Sequence, residues 1–176
     1  MAHRFLSDGN ISLRAVEISD ADFMWNVECD SLQWVQNSMV APFSKENILQ
    51  YALNYEADPF KASQLRLIIT SSDDIRIGIA DIFEISSQHR TAKVGIYILP
   101  SFRNHGYAAT ALELLEDYAL KILNIRTLCA EVVEGNDISL QLFVNSGYKK
   151  VGYLEDWLLS GSKTYSLQIL QKKLGF

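Results

Sequence analysis

One segment restricts the fold of this chain more than any other. Ile96-Tyr97-Ile98-Leu99 is an apolar strand that stops at Pro100, and a polar turn then leads into a helical run over 108–123. Gly106 and Ala108 keep that turn free of bulk, so several backbone N–H groups can converge on one point. The first N–H groups of a helix lack intrahelical partners and carry the positive end of its dipole. Such an arrangement binds a phosphate or pyrophosphate. Strand, turn and helix also follow one another in proteins that bind nothing there, so the segment alone leaves the ligand open. It is neither a dinucleotide fingerprint nor a P-loop, because G-x-G-x-x-G and the GK[ST] ending are both absent.

The rest of the chain fits one domain spanning 1–176, large enough for a substantial core. A hydrophobic content of 48% with 21% charged residues is that of an ordinary folded protein. No apolar run approaches membrane-spanning length, and the first residues lack an apolar signal region, so the expected location is cytoplasmic with no membrane partner. Cys29 and Cys129 lack metal or redox spacing and read as reduced core residues. The histidines are scattered, and no metal site is expected. A net charge of −5 argues against a nucleic-acid partner and favours approach of a cation. Any anionic ligand must therefore be held by local amides and a few cations.

Periodicity supplies the coarse order of elements. Residues 11–16 alternate as a strand, and Ser19 with Asp22 has the form of a capping box for a helix reaching Cys29. A loop over 30–43 carries Trp34, Met39 and Phe43, which could line a cleft or cap the core. Ser44 opens a second helix with Ile48, Leu49, Ala52 and Tyr55 at helical spacing. Strands over 64–70, 76–85 and 91–99 follow as an antiparallel meander. The helix over 104–123 puts Ala108, Ala111, Leu112, Leu115, Ala119 and Ile122 on one stripe, with Glu113, Glu116, Asp117 and Lys121 as solvated charge. Strands over 127–133, 148–154 and 163–170 complete the set, the last two joined at Ser160-Gly161-Ser162. Strand–helix–strand order around the Arg103 turn implies one parallel pair, with the ligand at the carboxyl ends of the central strands.

A second stretch, Glu131 to Tyr148, gives the first one meaning. Asn136 is a good helix N-cap, Ile138, Leu142 and Phe143 are expected near one helical face, and Gly147 ends the helix. Together, Arg103-x-x-Gly106-x-Ala108 and Asn136-x-x-Ser139 with Gly147-Tyr148 resemble the GNAT superfamily of acyl-CoA-dependent N-acetyltransferases. Within it the chain is most similar to the branch of spermidine and ribosomal-protein N-terminal acetyltransferases, over about residues 11–171. The resemblance implies an α/β fold with a mixed, mostly antiparallel central sheet, a splayed parallel pair and flanking helices. It implies acetyl-CoA as co-substrate. The N–H of Ile98 would pair with the pantetheine arm, and that of Ile96 would act as an oxyanion donor at the thioester carbonyl. Arg103, Asn104, His105, Gly106, Tyr107 and Ala108 would wrap the pyrophosphate, Asn136 would bond the pantetheine arm, and Phe143 would flank it.

Two departures bear on the chemistry. Family members commonly use a tyrosine seven residues after the asparagine to protonate the leaving thiolate, and this chain has Phe143 there. Lys93 stands where a glutamate often precedes the strand glycine. Ser139 is one substitute, either assisting thiolate departure or bonding the helix backbone. Glu84 is the preferred general base or amine-binding carboxylate and Asp81 the runner-up. Glu155 and Asp156 could meet a cationic acceptor, and Tyr97, Tyr107 and Tyr153 remain unranked acids. The leading reading is N-acetylation of a small cationic amine such as a polyamine. The alternatives are acetylation of a peptide N-terminus and a CoA-binding module without turnover. Exposed edge strands are compatible with a homodimer.

Overall fold

The computed structural model describes residues 6–29 and 42–175. Alternating residues form β1 (Ile11–Ala15), with Ile11 and Leu13 buried. A 3-10 turn, Ile18–Asp20, runs directly into α1 (Ala21–Glu28). The capping box lies earlier than Ser19 and Asp22: Glu17 and Asp20 form it, because Asp20 is fully buried and gripped by Arg14 and Arg76. Asp22 instead points to solvent. Trp34 and Met39 lie outside the described residues, while exposed Phe43 accepts a hydrogen bond at its carbonyl from Trp25.

Ser44 caps α2 (Lys45–Leu53) as expected, its side chain accepting from the Asn47 N–H. One further helical turn, α3 (Pro59–Ala62), is capped by Asp58. The meander follows as β2 (Gln64–Ser71), β3 (Arg76–Ser86) and β4 (Thr91–Ile98). After a 3-10 turn at Pro100–Phe102 come α4 (Tyr107–Lys121), β5 (Thr127–Val133) and α5 (Asp137–Asn145). The hairpin of β6 (Lys149–Ser160) and β7 (Lys163–Lys173) ends the described fold.

These strands make one seven-stranded sheet in the order β1-β2-β3-β4-β5-β7-β6. Among its neighbours only β4 and β5 are parallel. Their pairing covers Thr91↔Thr127 to Lys93↔Cys129 and then stops, although β4 runs on to Ile98 and β5 to Val133. The sheet thus opens as a fork, as the expected splayed pair requires. On one face, α4 buries Ala111, Leu112, Leu115 and Ala119 against Ile82, Val94, Leu128 and Leu170. On the other, α1 and α2 bury Met24, Val27, Ile48 and Ala52 against Ile68 and Ile79. Both faces of the sheet are thus covered around β2 and β3, while β6 stays exposed at the edge.

Several boundaries and faces differ from expectation for local reasons. α4 begins at Tyr107 because Asn104 (φ 64°) and Gly106 (φ 82°) are left-handed and cannot continue a helix. Glu116 is buried and ion-paired with Lys172 rather than solvated, whereas Ile122 is exposed. β6 and β7 run further than predicted because β6 is an edge strand exposed along almost its whole length, which erases the alternation that marks a strand. Glu155 and Asp156 lie inside β6, where the register shifts between Leu154 and Leu158, and not in a loop.

Candidate active site

Among the described residues the fork leaves one edge of β4 without a strand partner, and alternation identifies its groups. Leu99 N–H donates to Ile77 C=O at 2.9 Å, so odd positions near the end of β4 bond to β3. Even positions face β5: Arg90 C=O accepts from Arg126 N–H at 2.8 Å at the root of the fork. The N–H groups of Ile96 and Ile98 therefore point into the opening, and both residues line a cleft of 780 Å³ there. That volume suits a bound small molecule. Ile98 C=O on the same edge accepts from Arg103 Nε at 3.0 Å.

At the end of β4 the turn presents amides. The first bonds of α4 run from Ala109 and Thr110 N–H to Gly106 C=O, at 3.1 and 3.2 Å. Tyr107 and Ala108 N–H thus have no intrahelical partner and stand at the positive end of the dipole. Arg103, Asn104, Gly106, Tyr107 and Ala108 all line the cleft. A Cβ on Gly106 would meet nothing within 4 Å, so glycine serves its left-handed angle and leaves the space before the amides open. His105 is not on the wall. Its Nδ1 lies 2.7 Å from Arg103 C=O and its ring stacks on Tyr107 at 5.7 Å, so it braces the turn from outside. Among the described residues Arg103 is the one cation on the wall, its guanidinium 5.7 Å from the Tyr97 ring. Amides, one arginine and an open strand edge fit a long anionic ligand with amide groups along its arm.

The β5 arm closes the cleft. Asn136 Oδ1 accepts from Ser139 N–H at 3.2 Å, which orients the side-chain NH₂ to donate elsewhere. Ile138, Ser139 and Leu142 line the wall beside it. Phe143 does not: it is 3% exposed and packs edge-on against Tyr148, ring centroids 5.0 Å apart, in the core beneath α5. Ile138 and Phe143 are five residues apart, about 140° around a helix, so they cannot share a face. Val133, Glu134, Gly135 and Tyr165 also line the cleft. Sequence reasoning passed over them because only the register of β7 beside β5 brings Tyr165 there.

The expected carboxylates are elsewhere. Glu84 sits where the β3–β4 register shifts, at φ 50°, and contacts Lys93 Nζ at 2.9 Å. Lys93 also reaches Glu131 at 2.7 Å across the root of the fork. Burial opposes the Lys93 charge, but the bonds to Glu131 and Glu84 outweigh it and raise its pKa. Asp81 is held by Arg66 at 2.9 and 3.0 Å, and Arg66 also contacts Glu28 at 2.7 Å. Burial likewise disfavours the Arg66 charge, and the two acids more than compensate. Neither Glu84 nor Asp81 lines the cleft, nor does Tyr153, an exposed residue of β6. Among the described residues no cluster of His, Cys, Asp or Glu could hold a metal ion. Cys29 and Cys129 are unpaired thiols.

Comparison with known proteins identifies the family and the fold. The acetyltransferase (GNAT) domain model matches residues 10–149. A spermidine N(1)-acetyltransferase of Vibrio cholerae serotype O1 is 25% identical over 171 residues, covering 94% of this chain and 96% of that protein. The Escherichia coli K12 spermidine N(1)-acetyltransferase is 28% identical over 89 residues, 51% of this chain and 48% of that one. The crystal structure of the V. cholerae spermidine N-acetyltransferase in complex with CoA and spermine superposes with a TM-score of 0.85 at 21% identity, covering 95% and 97% of the two chains. A dodecameric structure of the V. cholerae enzyme gives 0.78 at 20% identity, over 95% of each chain. The fold is therefore shared over about 95% of the chain.

Proposed function

This chain belongs to the acetyltransferase (GNAT) domain family and is an acetyl-CoA-dependent N-acetyltransferase; on that premise we propose that its acceptor is a small polycationic amine of the polyamine class. The observation that carries the transferase reading is the fork, which leaves the Ile96 and Ile98 amides facing a cleft that ends at an amide-lined turn. Acetyl-CoA supplies an activated acyl thioester. Ile98 N–H pairs with its pantetheine arm in the manner of an added strand. Arg103 with the turn amides, among them Gly106, Tyr107 and Ala108, takes the pyrophosphate, and the Asn136 NH₂ bonds the arm from the opposite wall. Ile96 N–H meets the thioester oxygen, where charge develops. Ser139, in the first turn of α5, faces the same space.

The acceptor must shed a proton before it attacks. For an amine of pKa about 10.4 this costs roughly 4.6 kcal/mol at pH 7. Asp81 and Glu84 are committed to Arg66 and Lys93, so they act on the amine by attraction, not as free bases. Arg66 is paired with both Glu28 and Asp81, and Lys93 with both Glu84 and Glu131, so each cluster holds one carboxylate in excess, and the whole chain carries −5, which supports a polycationic acceptor. Similarity to a spermidine N(1)-acetyltransferase over 94% of the chain points the same way.

We place the protein in the cytoplasm, where unpaired Cys29 and Cys129 persist; among the described residues no helix is long and apolar enough to cross a membrane. Self-association is supported by the β6 edge, which exposes Val151, Tyr153, Trp157 and Leu159. Thiol release from acetyl-CoA, measured with spermidine, a simple monoamine and a peptide with a free N-terminus, tests the acceptor. Spermidine is expected to give the highest kcat/KM. Preference for the peptide, or equal rates with the monoamine, would overturn the polyamine assignment.

A further inference from the structure

We propose that Tyr165 is the proton donor to the departing thiolate, an assignment that rests on the acetyltransferase reading. The residue in the customary place for that donor, Phe143, has no proton to give and is buried in the core. Tyr148, its stacking partner, is no replacement, since its hydroxyl is buried beneath the helix and outside the cleft. Among the described residues, the hydroxyl-bearing side chains that line the cleft are Tyr97, Tyr107, Ser139 and Tyr165.

Position separates these four. Tyr107 opens α4 and stacks on His105, which fixes it in the amide turn at the anionic end of the cleft. Tyr97 packs on the α1–α2 layer, with the Arg103 guanidinium over its ring. Ser139 faces the right space, but an aliphatic hydroxyl is a far weaker acid than a phenol. A phenol, with pKa near 10, stands about 1.5 units from a thiol near 8.5, which is the matching that makes proton transfer efficient.

Tyr165 has the chemistry and the place. It lies near the start of β7, one residue before Ser166, whose C=O accepts from Glu134 N–H at 2.9 Å. That bond docks the strand against the β5–α5 turn carrying Asn136 and Ser139, on the arm of the fork opposite Ile96. The Lys163 ammonium lies 5.7 Å from the Tyr165 ring and offsets charge on the phenolate when the proton has left. In the step itself the neutral amine nitrogen bonds to the carbonyl carbon and the C–S bond breaks with its electron pair on sulfur. The Tyr165 Oη proton moves to that sulfur, and the proton shed by the new amide nitrogen restores the phenol.

The test is kcat against pH for wild type, Tyr165→Phe and Ser139→Ala, with acetyl-CoA affinity measured on each. The wild type should lose kcat on an alkaline limb. Tyr165→Phe should bind acetyl-CoA unchanged, lose about 100-fold in kcat at the optimum and lack that limb. A folded Tyr165→Phe with kcat within twofold and the limb intact overturns the assignment. So does transfer of both defects to Ser139→Ala. Absence of thiol release by the wild type with any amine would overturn the acetyltransferase reading itself, and the assignment with it.

Discussion

Lys93 stands where the family resemblance leads to a carboxylate, and its ammonium decides what its neighbours can do. Glu84 and Glu131 both spend a carboxylate oxygen on it, at 2.9 and 2.7 Å. A paired carboxylate attracts an approaching ammonium but is a poor proton acceptor. Glu84→Gln is therefore expected to raise KM for spermidine several-fold and to leave kcat within about threefold at every pH. A 100-fold loss of kcat that recovers at high pH would instead make Glu84 the general base. The positions legible in the sequence were those set by the backbone or by a cap. Ile96, Ile98, Gly106 and Asn136 stand where their motifs put them, because strand parity, turn conformation and capping are local. Tyr165 and Glu134 were not legible: strand pairing across a long stretch of chain assembles their surroundings, and no local pattern encodes it. Phe143 was misplaced for a third reason, since a run of apolar residues on a short helix does not say which of them faces the core.

At the scale of elements, the fork depends on how β4 is held from its paired side. Gly78 of β3 lies opposite Ile98, and a Cβ there would stand 2.2 Å from Tyr97 C=O. The close approach of these backbones fixes the end of β4, and with it the aim of the Ile96 and Ile98 amides. Gly78→Ala must push the strands apart at an overpacking cost of about 1–3 kcal/mol. Denaturant unfolding should show that loss, and acetyl-CoA should bind more weakly in the same variant. Unchanged stability together with unchanged affinity would mean that β3 does not set the geometry of the cleft. The meander and the parallel crossover were legible because their strands are buried and bounded by clear turns. The β6–β7 hairpin is longer than its sequence pattern suggests because an exposed edge with a register shift carries neither alternation nor a uniform apolar run.

For the whole molecule, Asp20 ties the first strand to the middle of the sheet. Burial raises its pKa, but bonds from Arg14, Arg76 and the Glu17 N–H prevail and hold it down at about 2. A depressed carboxylate contributes stability that is complete above its ordinary pKa, near 4, and is lost as pH falls toward 2. Asp20→Asn should cost about 2 kcal/mol at pH 7, and the gap from wild type should close between pH 4 and 2. A gap that persists unchanged at pH 2 would show that charge is not the source. The same molecule carries −5 overall, yet reads as a binder of an anionic co-substrate, and local geometry resolves that opposition: the unpartnered amides and Arg103 act at contact range, while the net charge acts on the incoming amine. Thiol release from acetyl-CoA with spermidine is the decisive measurement, with Gly106→Glu as the control at the turn. Wild type should release one thiol for each acetylated spermidine, and folded Gly106→Glu should fall at least about 100-fold in kcat/KM, because its side chain fills the space before the amides on a left-handed backbone. Wild type that binds acetyl-CoA yet acetylates no amine, or a folded Gly106→Glu as active as wild type, would contradict it.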